Sequence, residues 1–167
     1  MDFETVTMTT IEVSVNVLIR LTERVEKVAS AVEKIFPGLI MDIREDRIEA
    51  YGGPSTLWTL HRLLREQEIL DTARSVMLQG REGNTIQFRL NKQAAFMGMV
   101  NFPPEEEPLG SIHIQIIGDD QVIDWLSPMT ENGVPVKEID LPEIGPPHGI
   151  DRQDARLTGA SPREEDV

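Results

Sequence analysis

Two hydrophobic periods alternate along this chain, and the switches between them outline its elements. From Thr9 to Ile19 the stretch TTIEVSVNVLI alternates: Ile11, Val13, Val15, Val17 and Ile19 fall on one side, Glu12, Ser14 and Asn16 on the other. Period two with one polar side predicts a half-buried strand. The spacing then becomes helical through Val25, Val28, Ala29, Val32, Ile35 and Phe36, with Thr22 placed to cap the helix and Pro37-Gly38 to end it. LIMDIREDRIEAYGG divides into strands at about residues 39–44 and 47–52, and the short link at Glu45-Asp46 predicts an antiparallel hairpin. After the turn GGPST, Ser55 or Thr56 caps a helix whose stripe is Leu57, Leu60, Leu63 and Leu64. A second helix carries Ile69, Leu70, Ala73, Val76 and Met77 inward and stops at Gly80.

Period two returns in NTIQFRL, with Ile86, Phe88 and Leu90 inward and Gln87 and Arg89 outward. NKQAAF predicts a single helical turn, followed by a strand near residues 98–102 and a loop through FPPEEEPLG. SIHIQII is the last long strand and DDQVIDWLSP the last helix. Beyond Pro128 the periods fade into a segment rich in Pro, Gly and charge, which predicts an ordered crossing near residues 133–141 and disorder past about residue 145. The expected division is one domain over residues 8–142 and a flexible acidic tail over 143–167. The element order has too few sequential crossovers for a doubly wound parallel sheet. It predicts a two-layer α+β fold, a largely antiparallel sheet with helices packed on one face and the other face, or an edge, open to a partner.

Composition narrows the class. The chain has 167 residues, no cysteine and a formal net charge of −13. Lack of cysteine removes disulfide frameworks and thiolate metal sites and fits a reducing compartment. No apolar run approaches the roughly 18–20 residues that span a bilayer, and MDFETVTMTT lacks the parts of a secretory signal, so the expected location is the cytoplasm, away from membranes. The charge is uneven: residues 57–102 carry 6 Lys and Arg against 4 Asp and Glu, whereas residues 103–167 carry 4 against 15. Overall acidity argues against indiscriminate nucleic-acid binding, but the mildly positive middle does not.

Catalytic and metal signatures are not legible. His61, His113 and His148 are scattered, with no second ligand at helical spacing. GREGNT precedes a strand rather than a helix, so no helix N-terminus is aimed at an anion, and its glycines read as a helix stop and a turn. Glu105, Glu106 and Glu107 read as a solvated loop rather than a cation site. The expectation is a protein without enzymatic activity, cofactor or bound metal. The basic set is more informative: Arg62 and Arg65 lie three apart on one helix, and Arg74, Arg81, Arg89 and Lys92 follow within 18 residues of one another. Guanidinium and ammonium groups suit phosphates, and Gln87 and Gln93 add amides that reach sugars or bases. Their commoner use is ion pairing with Glu66, Glu68, Asp71 and Glu82. Met97 and Met99 in AAFMGMV read as core first and as adaptable contact residues second.

Several longer words then point to a family. LREQEILDTAR, GNTIQFRLNKQAA, PLGSI and DWLSPMTENGVP occur in order, and over most of residues 10–138 the chain resembles the archaeal uncharacterised protein family 0201. The resemblance implies an α+β fold similar to the large-subunit ribosomal protein that binds 5S ribosomal RNA, and it implies grouping with RNA-binding proteins. The resulting expectation is a non-catalytic RNA-binding or RNP-associated protein whose candidate contacts are Arg62, Arg65, Arg74, Arg81, Arg89, Lys92 and Gln93. The competing expectation is a protein-interaction module or homodimer using a sheet edge and the AAFMGMV segment.

Overall fold

The computed structural model describes residues 11–104 and 110–145. Alternation in the sequence becomes strands β1 (Glu12–Leu18), β2 (Ile40–Ile43), β3 (Arg47–Gly52), β4 (Arg81–Glu82), β5 (Thr85–Asn91) and β6 (Ser111–Ile117). Helical spacing becomes α1 (Val25–Ile35), α2 (Trp58–Glu66), α3 (Leu70–Gln79), the one-turn α4 (Lys92–Phe96) and α5 (Asp120–Leu126). A small hairpin of β7 (Thr130–Glu131) and β8 (Val134–Pro135) follows, turning through Asn132 and Gly133 at φ 55° and 82°, the left-handed pair a two-residue hairpin demands.

Strands β1 to β6 form one antiparallel sheet in the order β2-β3-β1-β6-β5-β4. Register carries the alternation across it. Ala50, Val15, Ile114 and Phe88 form one buried row, and Ile48, Val17, Ile112 and Leu90 form the next. Val28, Val32 and Ile35 of α1, Leu60 and Leu64 of α2, Ala73 and Met77 of α3, and Val122, Trp125 and Leu126 of α5 belong to the same core. Helices therefore cover one face, and the architecture is the expected two-layer α+β arrangement. Each buried Val, Leu or Ile contributes about 1.5–3 kcal/mol, whereas a one-residue slip would turn a whole strand's apolar set to water. That difference holds the register.

Several local expectations are corrected. Thr22 does not cap α1; the helix follows the extended Arg24, and Glu23 accepts the Arg20 backbone N–H at 2.8 Å, so the carboxylate makes the turn. Neither Ser55 nor Thr56 caps α2, because Pro54–Leu57 winds as a 3-10 turn directly into it and the Thr56 hydroxyl donates to the Gly53 carbonyl at 2.8 Å. Residues 98–102 form no strand. The Gln67 side chain donates to the Val100 carbonyl at 2.9 Å and accepts its N–H at 2.7 Å, satisfying that backbone in place of a ladder. Met97 and Met99 are exposed at 72% and 48%, not core. Packing continues through Leu141 and Ile144, both buried, and the Trp58 indole donates to the Gly145 carbonyl at 2.8 Å. Glu105 to Glu107, His148 and the tail beyond Gly145 lie outside the described residues.

Candidate functional site

The sheet face away from the helices carries the wet half of the alternation. Tyr51, Ser14, Gln115 and Gln87 stand in one cross-strand row, with Glu49, Asn16, His113 and Arg89 in the next. At a strand spacing of about 4.8 Å each row of four spans roughly 14 Å. The centre of this face is a shallow depression of about 950 Å³ lined by Ser14, Asn16, Gln87, Arg89, His113 and Gln115, and Gln79 to Glu82 wall one end.

Its polar groups are partly ordered by one another. The Gln87 amide donates to the Gln115 side-chain oxygen at 2.9 Å. Arg89 donates to the Pro104 carbonyl at 2.6 Å and more weakly to the Ser111 hydroxyl at 3.5 Å. A guanidinium has five N–H donors, so this tether orients the group and leaves others for a ligand. Burial, and then the neighbouring Arg89, hold the His113 pKa below the ordinary histidine value, so at neutral pH it is an uncharged hydrogen-bonding ring.

The seven residues singled out from the sequence do not share one surface. Arg81 and Arg89 line the depression, with Arg81 ion-paired to Asp120 of α5. Arg62 sits on the helix layer and pairs with Glu66 at 3.0 Å, one helical turn on. Arg65 is half-buried and donates to the Leu126 and Trp125 carbonyls at 3.0 and 3.1 Å and to Glu138 at 2.7 Å, tying α2 to the end of α5. Arg74 does similar work from α3, reaching Asp124 at 2.9 Å and the Ser127 carbonyl at 3.0 Å. Lys92 is buried and donates to the Leu18 carbonyl at 2.8 Å and to Glu23 at 3.0 Å. Gln93 is exposed at a different groove, between α1 and α4. Residues missed earlier as site candidates are the neutral ones, Ser14, Asn16 and Gln115. The signal that finds them is strand alternation, which places them on the same wet face as Arg89.

Among the described residues, the histidine with the more displaced pKa lies elsewhere. His61 packs against Trp58 and Trp125 with ring centroids 5.1 and 4.2 Å away, and burial foremost, with Arg65 adding to it, lowers its pKa to about 4. Its environment explains the shift without a reaction.

An antiparallel sheet that buries one face under helices and presents the other as a polar concavity defines an open-faced, two-layer α+β protein. Residues 12–117, from the first residue of β1 to the last of β6, match a family model described as RNA binding. The chain belongs to the UPF0201 family. It is 38% identical over 152 residues to a UPF0201 protein of Methanosarcina acetivorans, covering 78% of this chain and 93% of that one. A Saccharolobus solfataricus UPF0201 protein is 38% identical over 142 residues, covering 79% and 97% of the two chains. The crystal structure of a UPF0201 protein from Methanococcus jannaschii superposes with a TM-score of 0.70 at 32% identity, covering 75% of this chain and 99% of that one. Among the described residues no helix is long and apolar enough to cross a membrane.

Proposed function

We propose that this is a non-catalytic, cytoplasmic RNA-binding protein, acting alone or within an RNP, that contacts RNA through the open face of its sheet. One observation carries the reading: the RNA-binding match over residues 12–117 covers all six strands of the sheet, and the face those strands leave uncovered is polar and holds Arg89. Of the seven basic and amide candidates, Arg81 and Arg89 are the contacts this reading favours, because Arg65, Arg74 and Lys92 spend their donors on the protein's own carbonyls and carboxylates. Residues 8–142 are taken as the binding domain and 143–167 as an acidic extension. Because Ile144 is buried, a truncation that tests the extension is made after Gly145.

The test is titration of structured RNA with the full chain at several salt concentrations. Arg89→Ala weakens binding and flattens the slope of log affinity against log salt by about one, the signature of one lost phosphate contact. Arg62→Ala, on the helix layer, leaves both unchanged. Equal losses from the two variants would refute the assignment to this face. The second reading is a homodimer through Met97 and Met99, exposed at 72% and 48%; a light-scattering mass that stays at one chain across concentrations rules it out.

A further inference from the structure

We infer that the RNA taken by this face is a paired, A-form segment, engaged across its wide minor groove through 2′-hydroxyls and base edges, rather than an unpaired strand. The inference rests on the RNA-binding reading above and adds the class of RNA.

Strands β1, β6 and β5 present polar side chains to the depression. Their outward positions within the depression are Ser14 and Asn16 on β1, His113 and Gln115 on β6, and Gln87 and Arg89 on β5. No Phe, Tyr or Trp stands among these six. Surfaces that hold unpaired strands rely on aromatic rings on which successive bases stack. Here the aromatic residue of β5, Phe88, is buried and packs on Phe102, and Tyr51 stands one strand out, on β3.

These polar side chains also match a 2′-hydroxyl in chemistry. A 2′-hydroxyl both donates and accepts, as do the side chains of Ser14, Asn16, Gln87 and Gln115 taken as a set. The Gln87 to Gln115 bond of 2.9 Å uses one donor and one acceptor, so the Gln87 carbonyl oxygen and the Gln115 amide N–H groups still face the depression. Neutral His113 adds a further uncharged partner.

Positive charge at this face is sparse. Arg89 is the cation at the centre, Arg81 is at the wall and already paired with Asp120, and Glu49 and Glu82 flank them. The chain carries −13 overall. Two phosphate contacts give a salt slope of only about −2, so most recognition has to come from uncharged contacts. The minor groove of A-form RNA is wide and shallow and lined by 2′-hydroxyls, whereas DNA lacks them. A shallow polar depression whose rows cross three strands, roughly 10 Å, fits such a surface.

The experiment titrates the full chain, by fluorescence anisotropy, against three probes of one sequence: an RNA duplex, the same RNA as a single strand designed not to self-pair, and a DNA duplex. The expected result is affinity for the RNA duplex at least tenfold above either other probe, with a salt slope of about −2 or shallower. The double variant Asn16→Ala with Gln115→Ala reduces the preference for RNA over DNA duplex severalfold, while Arg89→Ala weakens binding to both duplexes in proportion. Unfolding midpoints of the variants confirm that these surface changes leave the fold intact. Equal or tighter binding of the single strand, or equal binding of the DNA duplex, overturns the inference and leaves RNA binding standing. Failure of all three probes to bind at low salt overturns the RNA-binding reading itself.

Discussion

Gly80 makes the closest backbone approach behind the candidate interface, and replacing it with alanine tests how the wall of the depression is built. The residue ends α3 at φ −92°, a conformation open to most amino acids, so left-handed freedom is not what it supplies. Space is. A Cβ placed there stands 1.8 Å from the Gln87 carbonyl oxygen and 3.0 Å from its carbon. Both are backbone atoms of β5, so no rotamer change relieves the overlap. Relief requires the end of α3 and β5 to separate by more than about 1 Å, which breaks the Gln87 N–H bond to the Gly80 carbonyl, now 3.0 Å, and strains the two-residue β4–β5 pairing. Overpacking at about 1–3 kcal/mol and a lost hydrogen bond at about 0.5–1.5 put the cost of Gly80→Ala at roughly 3 kcal/mol.

Gly83→Ala is the control. Gly83 has φ 64° with nothing within 4 Å of a Cβ, so its cost is conformational alone, about 1 kcal/mol. Urea unfolding followed by circular dichroism measures both. Gly80→Ala should lose about three times as much stability as Gly83→Ala with an unchanged m-value, and its melting temperature should fall by roughly 6–12 °C. A Gly80→Ala cost equal to or below that of Gly83→Ala would refute the steric reasoning. Because Gly80 belongs to the wall of the depression, the same variant should also weaken RNA binding.

Two further outcomes follow from the half-buried His61 and the buried Lys92, beside those stated for Arg89 and for the duplex probes. The folded-state pKa of His61 lies near 4 against 6.5 for the free side chain, so between those values the unfolded chain binds more protons. Stability falls as pH drops from about 6.5 to 4, by roughly 1–2 kcal/mol once solvent screening of the partly exposed ring is allowed for, and His61→Phe should remove that slope in pH-dependent urea unfolding. An unchanged slope in His61→Phe would sink the assignment. Glu138, held below its ordinary value by the Arg65 hydrogen bond, adds its loss only below about pH 4.5; Glu23 does likewise, since the Arg20 N–H and Lys92 outweigh the upward push of burial. Lys92→Met leaves the Leu18 carbonyl without its donor while half-buried Glu23 regains water, which costs roughly 2 kcal/mol of stability. It should leave the salt slope of RNA binding unchanged, and a slope flattened by one would instead make Lys92 a phosphate contact.

The strands were legible because alternation is a local property of the chain. Glu12 to Leu18 and Thr85 to Asn91 each read as wet on one side, and both lie side by side with β6 as that reading requires. The strand expected at residues 98–102 was not recoverable the same way. The Val100 backbone is satisfied by Gln67, 33 residues earlier, and no local period reports a side chain arriving from so far back in the chain. Gly80 was legible as a helix stop, but its reason was not: glycine stops are expected in left-handed geometry, whereas this one is required by a strand that follows it.

For the candidate site the division falls between position and destination. Sequence alone determined that the middle of an acidic chain is mildly positive, that Gln87 and Arg89 share the outer face of one strand, and that the family-like words run through this same region. The first two rest on composition and on a two-residue period, which need no knowledge of neighbours. Only the tertiary structure decided where each charge goes. Arg65, Arg74 and Lys92 meet partners 50 to 74 residues away in the chain and are consumed by them, while Ser14, Asn16, His113 and Gln115 arrive beside Arg89 from strands far apart in sequence. A long cationic side chain goes to whatever carbonyl or carboxylate the fold brings within reach, and that is set by packing between elements rather than by the order of residues within them.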